Sequence, residues 1–131
     1  MARICKVLIV EDNEDIRSLM EEMFDAEGYH IRAVRSATQM RSILAAEPDC
    51  DMLVIDMTLP GPEDGLRLAD EMVVQGYRVV LVTGNHLLVE RLDESGHPYL
   101  LKPFRVQSLL ELIDRLLREA AAECERASRR A

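Results

Sequence analysis

Short, unbroken apolar runs alternate with stretches of helical spacing along this chain, and four of the runs lead straight into a polar residue. Val7-Leu8-Ile9-Val10 leads into Glu11 and Asp12, Met52-Leu53-Val54-Ile55 into Asp56, Val79-Val80-Leu81-Val82 into Thr83, and Tyr99-Leu100-Leu101 into Lys102. Runs of this length without alternation describe strands buried on both faces, as in parallel sheets. The pattern predicts strands near 4–10, 30–34, 51–56, 78–83 and 98–101, and helices near 13–26, 37–46, 64–75, 86–92 and 105–121. Five βα units follow. Right-handed crossovers place their helices on both faces of one parallel sheet, a doubly wound α/β fold. The punctuation agrees: Gly28 closes the first helix, Ser36 caps the second, Pro48 stops it and Gly76 ends the third.

In the last helix Val106, Leu109, Leu110, Ile113, Leu117 and Ala120 form one apolar stripe for docking on the sheet. Leu112 and Leu116 lie beside it, first of all as part of the same docking face and alternatively as candidates for a partner surface. The reading is a single domain over 1–121, with 122–131 as a helical extension or a frayed tail.

Composition narrows the function. With 131 residues, 48% of them hydrophobic and 31% charged, the chain has material for a core without metal or disulfide staples. A net charge of -8 gives no basic footprint for direct nucleic-acid binding or for an anionic membrane, which leaves proteins as the expected partners. Cys5, Cys50 and Cys124 share no metal-type spacing and are odd in number, which fits a reducing compartment. No run reaches membrane-spanning length and no leader is evident, so the expected location is the cytoplasm.

Ligands of open α/β sheets bind outside the carboxyl ends of the strands, where Glu11, Asp12, Asp56, Thr83 and Lys102 would meet. Asp12 is also an N-cap candidate for the first helix, whereas Asp56 precedes a loop, and capping explains it less well. Three clustered carboxylates repel one another unless a cation intervenes, and an all-oxygen site with room for phosphate suits Mg²⁺. Asp56 is then either a metal ligand or a nucleophile that forms an aspartyl phosphate. Lys102 stands out because the chain has only one other lysine, Lys6, against 14 arginines. A compact ammonium beside Asp56 would balance phosphoryl charge. Pro103 is compatible with a cis peptide that aims Lys102 inward. Gly84 beside Thr83 would leave the hydroxyl open to the crevice. Tyr99 lies on the strand that runs into Lys102, while His30, His86 and His97 are scattered and share no helical face.

Over about residues 4–121 these motifs resemble a response-regulator receiver domain, CheY-like, the phosphoacceptor of two-component signalling. They are Val7-Leu8-Ile9-Val10-Glu11-Asp12-Asn13-Glu14, Leu53-Val54-Ile55-Asp56-Met57-Thr58-Leu59-Pro60-Gly61, Val82-Thr83-Gly84 and Tyr99-Leu100-Leu101-Lys102-Pro103-Phe104. The resemblance implies the flavodoxin-like strand order 2-1-3-4-5. It implies that Asp56 is phosphorylated by a histidine kinase or phosphotransfer protein, with Mg²⁺ or Mn²⁺ held by Asp12, Asp56, the Thr58 carbonyl and, through water, Glu11. Lys102 would hold the phosphoryl group, Thr83 would turn toward it, and Tyr99 would rotate inward. That switch repacks the face of the fourth helix, fifth strand and fifth helix, through which two phosphorylated copies can pair. Thr58 and Asn85 stand at the positions that tune the phosphoryl lifetime in the family.

Two departures bear on the fourth helix. The loop Pro60-Gly61-Pro62-Glu63-Asp64-Gly65 is one residue longer than the commonest form. The interval from Thr83 to Lys102 is shorter, with Gly96-His97-Pro98 before the fifth strand. Both resemble receivers of hybrid histidine kinases and predict a short, irregular or mobile fourth helix. The expected function is a stand-alone phosphorelay receiver, not a metabolic enzyme. Its alternatives are a pseudo-receiver, against which the intact acids, Thr83 and Lys102 argue, and an Asp-nucleophile phosphatase, which would want an acid where Thr58 stands. A flavodoxin-like cofactor binder would need a phosphate loop where Glu11-Asp12-Asn13-Glu14 stands.

Overall fold

In the computed structural model, which describes residues 4–58 and 64–130, strands and helices alternate throughout. They are β1 (Lys6–Val10), α1 (Glu14–Ala26), β2 (His30–Val34), α2 (Ala37–Ala46), β3 (Met52–Asp56), α3 (Gly65–Val74), β4 (Val79–Thr83), α4 (Val89–Ser95), β5 (Tyr99–Leu101) and α5 (Val106–Arg130). A 3₁₀ turn, His86–Leu88, precedes α4. All strand pairs are parallel, in the order β2-β1-β3-β4-β5. No helix among the described residues is long and apolar enough to cross a membrane.

The uninterrupted apolar runs have a direct structural cause. Side chains alternate across a strand, so each run supplies both faces of the sheet. Leu8, Val10, Leu53, Ile55 and Leu81 pack with Met40, Leu68, Met72 and Leu92 on one side. Val7, Ile9, Val54, Val80 and Val82 pack with Met20, Phe24, Leu109 and Ile113 on the other. Each fully buried aliphatic or aromatic side chain contributes roughly 1.5–3 kcal/mol. Leu112 and Leu116 are half-buried against the second cluster, so they widen the docking stripe of α5 rather than forming a separate surface.

Two expectations change, and an open one is decided. The N-cap of α1 is Asn13, whose side chain accepts from the Ile16 N–H at 3.0 Å, and not Asp12, which is thereby spared that task. The fifth helix continues to Arg130, so the residues beyond 121 take the helical-extension reading, carried by Ala-, Glu- and Arg-rich sequence of high helix propensity. The fourth helix is shifted: the chain makes a 3₁₀ turn where helix is predicted to begin, and α4 runs on to Ser95, closed by Gly96 at φ 76. As expected, Ser36 caps α2 and accepts from the Gln39 N–H. The lengthened loop after Asp56, Pro60 to Glu63, lies outside the described residues. Beyond it Asp64 caps α3, and Gly65 is required where it stands, since a Cβ there would meet the Met57 Cα at 2.8 Å. The Lys102–Pro103 peptide is cis.

Candidate functional site

The site forms where β1, β3, β4 and β5 end together. The Glu11 N–H still donates to the Val34 carbonyl at 2.9 Å, which extends the sheet ladder by one residue and fixes the direction of its side chain. Met57 does the same after β3, donating to the Val82 carbonyl at 2.8 Å, and the Lys102 N–H donates to the Thr83 carbonyl at 2.8 Å. The ladder therefore sets the spacing of the functional side chains before any of them interacts. Glu11 at 2%, Asp56 at 1% and Thr83 at 0% exposure are the buried polar residues of the described chain.

Lys102 joins the two buried acids. Its Nζ donates to Glu11 Oε1 and to Asp56 Oδ2, both at 2.8 Å. The second Asp56 oxygen, Oδ1, accepts from the Thr58 backbone N–H at 2.8 Å and from the Thr58 hydroxyl at 2.7 Å. Ligand oxygens of Glu11, Asp12 and Asp56 all lie within 4.8 Å of one another, with Asp12 on the exposed side.

The two buried acids are shifted in opposite directions. Burial, reinforced by Asp56, pushes Glu11 up to about 7. Burial also pushes Asp56 upward, but hydrogen bonds from Glu11, Lys102 and Thr58 outweigh it and hold the carboxyl below its usual value. Of the pair, Asp56 ionises first and Glu11 is the acid that holds a proton more readily. Burial works against the Lys102 ammonium, yet its bonds to Asp56 and Glu11 hold it above its ordinary value. One ammonium does not offset three acids. A donor set made only of oxygen, with three clustered carboxylates against one ammonium, fits a hard divalent cation such as Mg²⁺.

Glu11, Asp12, Asp56 and Lys102 thus converge as the strand ends predict, while the hydroxyls of Thr83 and Tyr99 bond other partners. The Thr83 hydroxyl is not open to the crevice. It is fully buried and accepts from the Asn85 N–H at 3.1 Å, because the chain turns back over it at Gly84. Tyr99 is half-buried on the edge strand, and its hydroxyl donates to Asp93 of α4. That bond holds the Tyr99 hydroxyl above its ordinary value.

Two residues, Arg17 and Arg91, and one further contact of Thr58 were not legible in the sequence. Arg17 donates to the Glu11 carbonyl at 2.8 Å and to the Asp12 carbonyl at 2.9 Å, pinning the acidic turn from its backbone side. Its only sequence signal is a basic residue one turn after the cap Asn13. The Thr58 hydroxyl engages Asp56 directly. Arg91 of α4 reaches Asp64, the cap of α3, at 3.5 Å.

Comparison with known proteins gives a consistent picture. The family model of the response regulator receiver domain matches residues 7–114. The transcriptional regulatory protein AruR of Pseudomonas aeruginosa is 30% identical over 127 residues, covering 90% of this chain and 51% of that protein. The aerobic respiration control protein ArcA of Escherichia coli K12 is 33% identical over 107 residues, 79% of this chain and 44% of that protein. The chain thus spans about half the length of these curated relatives. Among solved structures, a CheY-like receiver domain protein from Methanospirillum hungatei has a TM-score of 0.80 at 25% identity, covering 92% of this chain and 99% of that one. The signal receiver domain of an HD domain-containing protein from Pseudomonas fluorescens has a TM-score of 0.81 at 26% identity, covering 96% of both.

Proposed function

The chain belongs to the response regulator receiver domains, and from that premise we propose that it is a cytoplasmic phosphorelay protein whose Asp56 accepts a phosphoryl group from a histidine kinase or phosphotransfer protein. The observation that carries the reading is the state of Asp56: buried, ionised, and bonded to Lys102 at 2.8 Å at the carboxyl edge of the sheet.

A donor phosphohistidine is the natural source of the group. An Asp56 oxygen attacks phosphorus, the P–N bond breaks as the P–O bond forms, and the imidazole leaves with the bonding pair and takes up a proton. Lys102 is placed to follow the charge, since its ammonium already bonds Oδ2 and can extend to a phosphoryl oxygen without leaving the site. Thr58 keeps the carboxylate oriented through Oδ1. Asp12, Asp56 and the Thr58 carbonyl, with Glu11 through water, are the groups that would hold Mg²⁺ or Mn²⁺. Bound there, the ion supplies positive charge against the phosphoryl oxygens and the clustered acids.

The readout passes through Thr83 and Tyr99. Turning the Thr83 hydroxyl toward a phosphoryl group requires giving up the Asn85 N–H, and the space this opens lets Tyr99 leave Asp93 and move inward. The surface of α4, β5 and α5 is then remade for a downstream protein or for a second phosphorylated copy. The role is that of a signalling phosphoacceptor that assists its own phosphorylation, not of a metabolic enzyme. Incubation with Mg²⁺ and acetyl phosphate should add one acid-labile phosphoryl group by intact mass, and Asp56→Asn should abolish it. A wild-type mass left unmodified under these conditions would sink the mechanism.

A further inference from the structure

The fifth helix carries a second, unused pattern. Beside its core stripe, Gln107, Glu111, Asp114, Arg118 and Ala121 recur at alternating spacings of four and three, and all five line one wall of an open groove of about 600 Å³. Glu27 and Tyr29, at the turn from α1 into β2, line the opposite wall. Glu125 and Arg129, each four residues further on, keep close to this face where α5 runs past the groove, and both residues are exposed. One helix face thus begins in a groove and ends in solvent.

The order of charges along that face makes it complementary to itself in one direction only. From groove to tail it reads Glu111 and Asp114, then Arg118, then Ala121 and Ala122, then Glu125 and Arg129. Two such helices run parallel would set each charge against its like. Run antiparallel about an axis at Ala121 and Ala122, Asp114 of each faces Arg129 of the other and Arg118 faces Glu125. The small side chains at the axis let the backbones approach closely, and the Asp114 region of the groove, with Glu27 and Glu111 nearby, is acidic where Arg129 would lie. The Asp114–Arg118 pair within one helix, 2.8 Å but exposed, is of the weak kind that is readily exchanged. We propose that this face of α5 is a docking surface for a second copy of the chain, the projecting end of each helix lying antiparallel in the groove of the other. The resulting contact is isologous, and it uses a different face of α5 from the one that packs on the sheet.

The test is a charge swap. Sedimentation equilibrium of the wild type at low salt should give a dimer that dissociates as NaCl is raised. Glu125→Arg/Arg129→Glu reverses the tail, and Asp114→Arg/Arg118→Glu reverses the groove. Each variant alone should weaken self-association on the order of tenfold or more, because like charges then oppose one another, with the far-UV circular dichroism unchanged. Mixed in equal amounts, the two variants should form a dimer again, since every opposed pair is once more of opposite sign. A wild type that stays monomeric at about 100 µM at low salt would overturn the proposal. So would a dimer indifferent to both reversals, or a mixture that does not reassociate.

Discussion

Lys102 touches two carboxylates that hold protons very differently, and this asymmetry sets how the site should respond to pH. Glu11 keeps its proton to about pH 7 in the folded chain, against 4.5 for an ordinary glutamate. A raised acid binds more protons folded than unfolded, so its contribution to stability is complete below 4.5 and is lost as pH rises through about 7. A divalent cation wants the opposite state. Where Glu11 is protonated, binding Mg²⁺ must displace that proton, and the apparent affinity should fall up to about tenfold for each pH unit below 7. Titration calorimetry at pH 6 and pH 8 checks this, and equal affinities at the two pH values would refute the protonation assignment. In Glu11→Gln the pH dependence should vanish. Thr58 makes a separate prediction, because its hydroxyl bonds an ionised carboxylate at 2.7 Å. Thr58→Val should lower stability at pH 7 by about 1.5–3 kcal/mol, the range for a hydrogen bond to a charged group, measured by urea unfolding.

At the scale of elements, the sequence is most legible where one physical requirement dominates. A strand buried on both faces has to be apolar throughout, so β1, β3 and β4 announce themselves, and because their runs stop at the sheet edge they also mark Glu11, Asp56 and Thr83. Legibility fails where two residues compete for one task or where the contacts are tertiary. Asp12 and Asn13 are both good caps, and only the backbone path decides for Asn13. Thr83 beside a glycine looks open, yet the turn at Asn85 covers it. Nothing local ties Tyr99 to Asp93 or Arg91 to Asp64. The fourth helix shows the same limit. It is short, as the shortened interval predicts, and Leu92 is its one fully buried side chain. With so little apolar anchoring, α4 should open more readily than the strands beside it. Amides from Leu87 to Glu94 should exchange faster than those of β3 and β4 by hydrogen exchange, and equal protection would show that Leu92 and the Arg91–Asp64 pair suffice to fix the helix.

For the whole molecule the deciding quantity is negative charge, with its locally concentrated part distinguished from its dispersed part. The net charge of -8 is spread over a chain in which the mapped ion pairs other than those of Lys102 and His97 lie between exposed side chains. Such charges respond to ionic strength alone, and any salt that screens them should stabilise the fold modestly. The cluster of Glu11, Asp12 and Asp56 is different: it combines two buried acids with one exposed acid that no helix cap requires. A specific cation there stabilises by mass action, about 2.7 kcal/mol at a hundredfold excess over Kd. For a domain of this size that corresponds to a Tm rise of roughly 3–5 °C per kcal/mol. MgCl₂ should therefore raise Tm well beyond NaCl of matched ionic strength. Asp12→Asn removes one acid from the exposed side without disturbing the core or the Asn13 cap, so it should erase most of that excess while leaving the NaCl response intact. If both salts act equally on the wild type, the cluster binds no cation specifically and its acids are balanced by Lys102 and the proton on Glu11 alone.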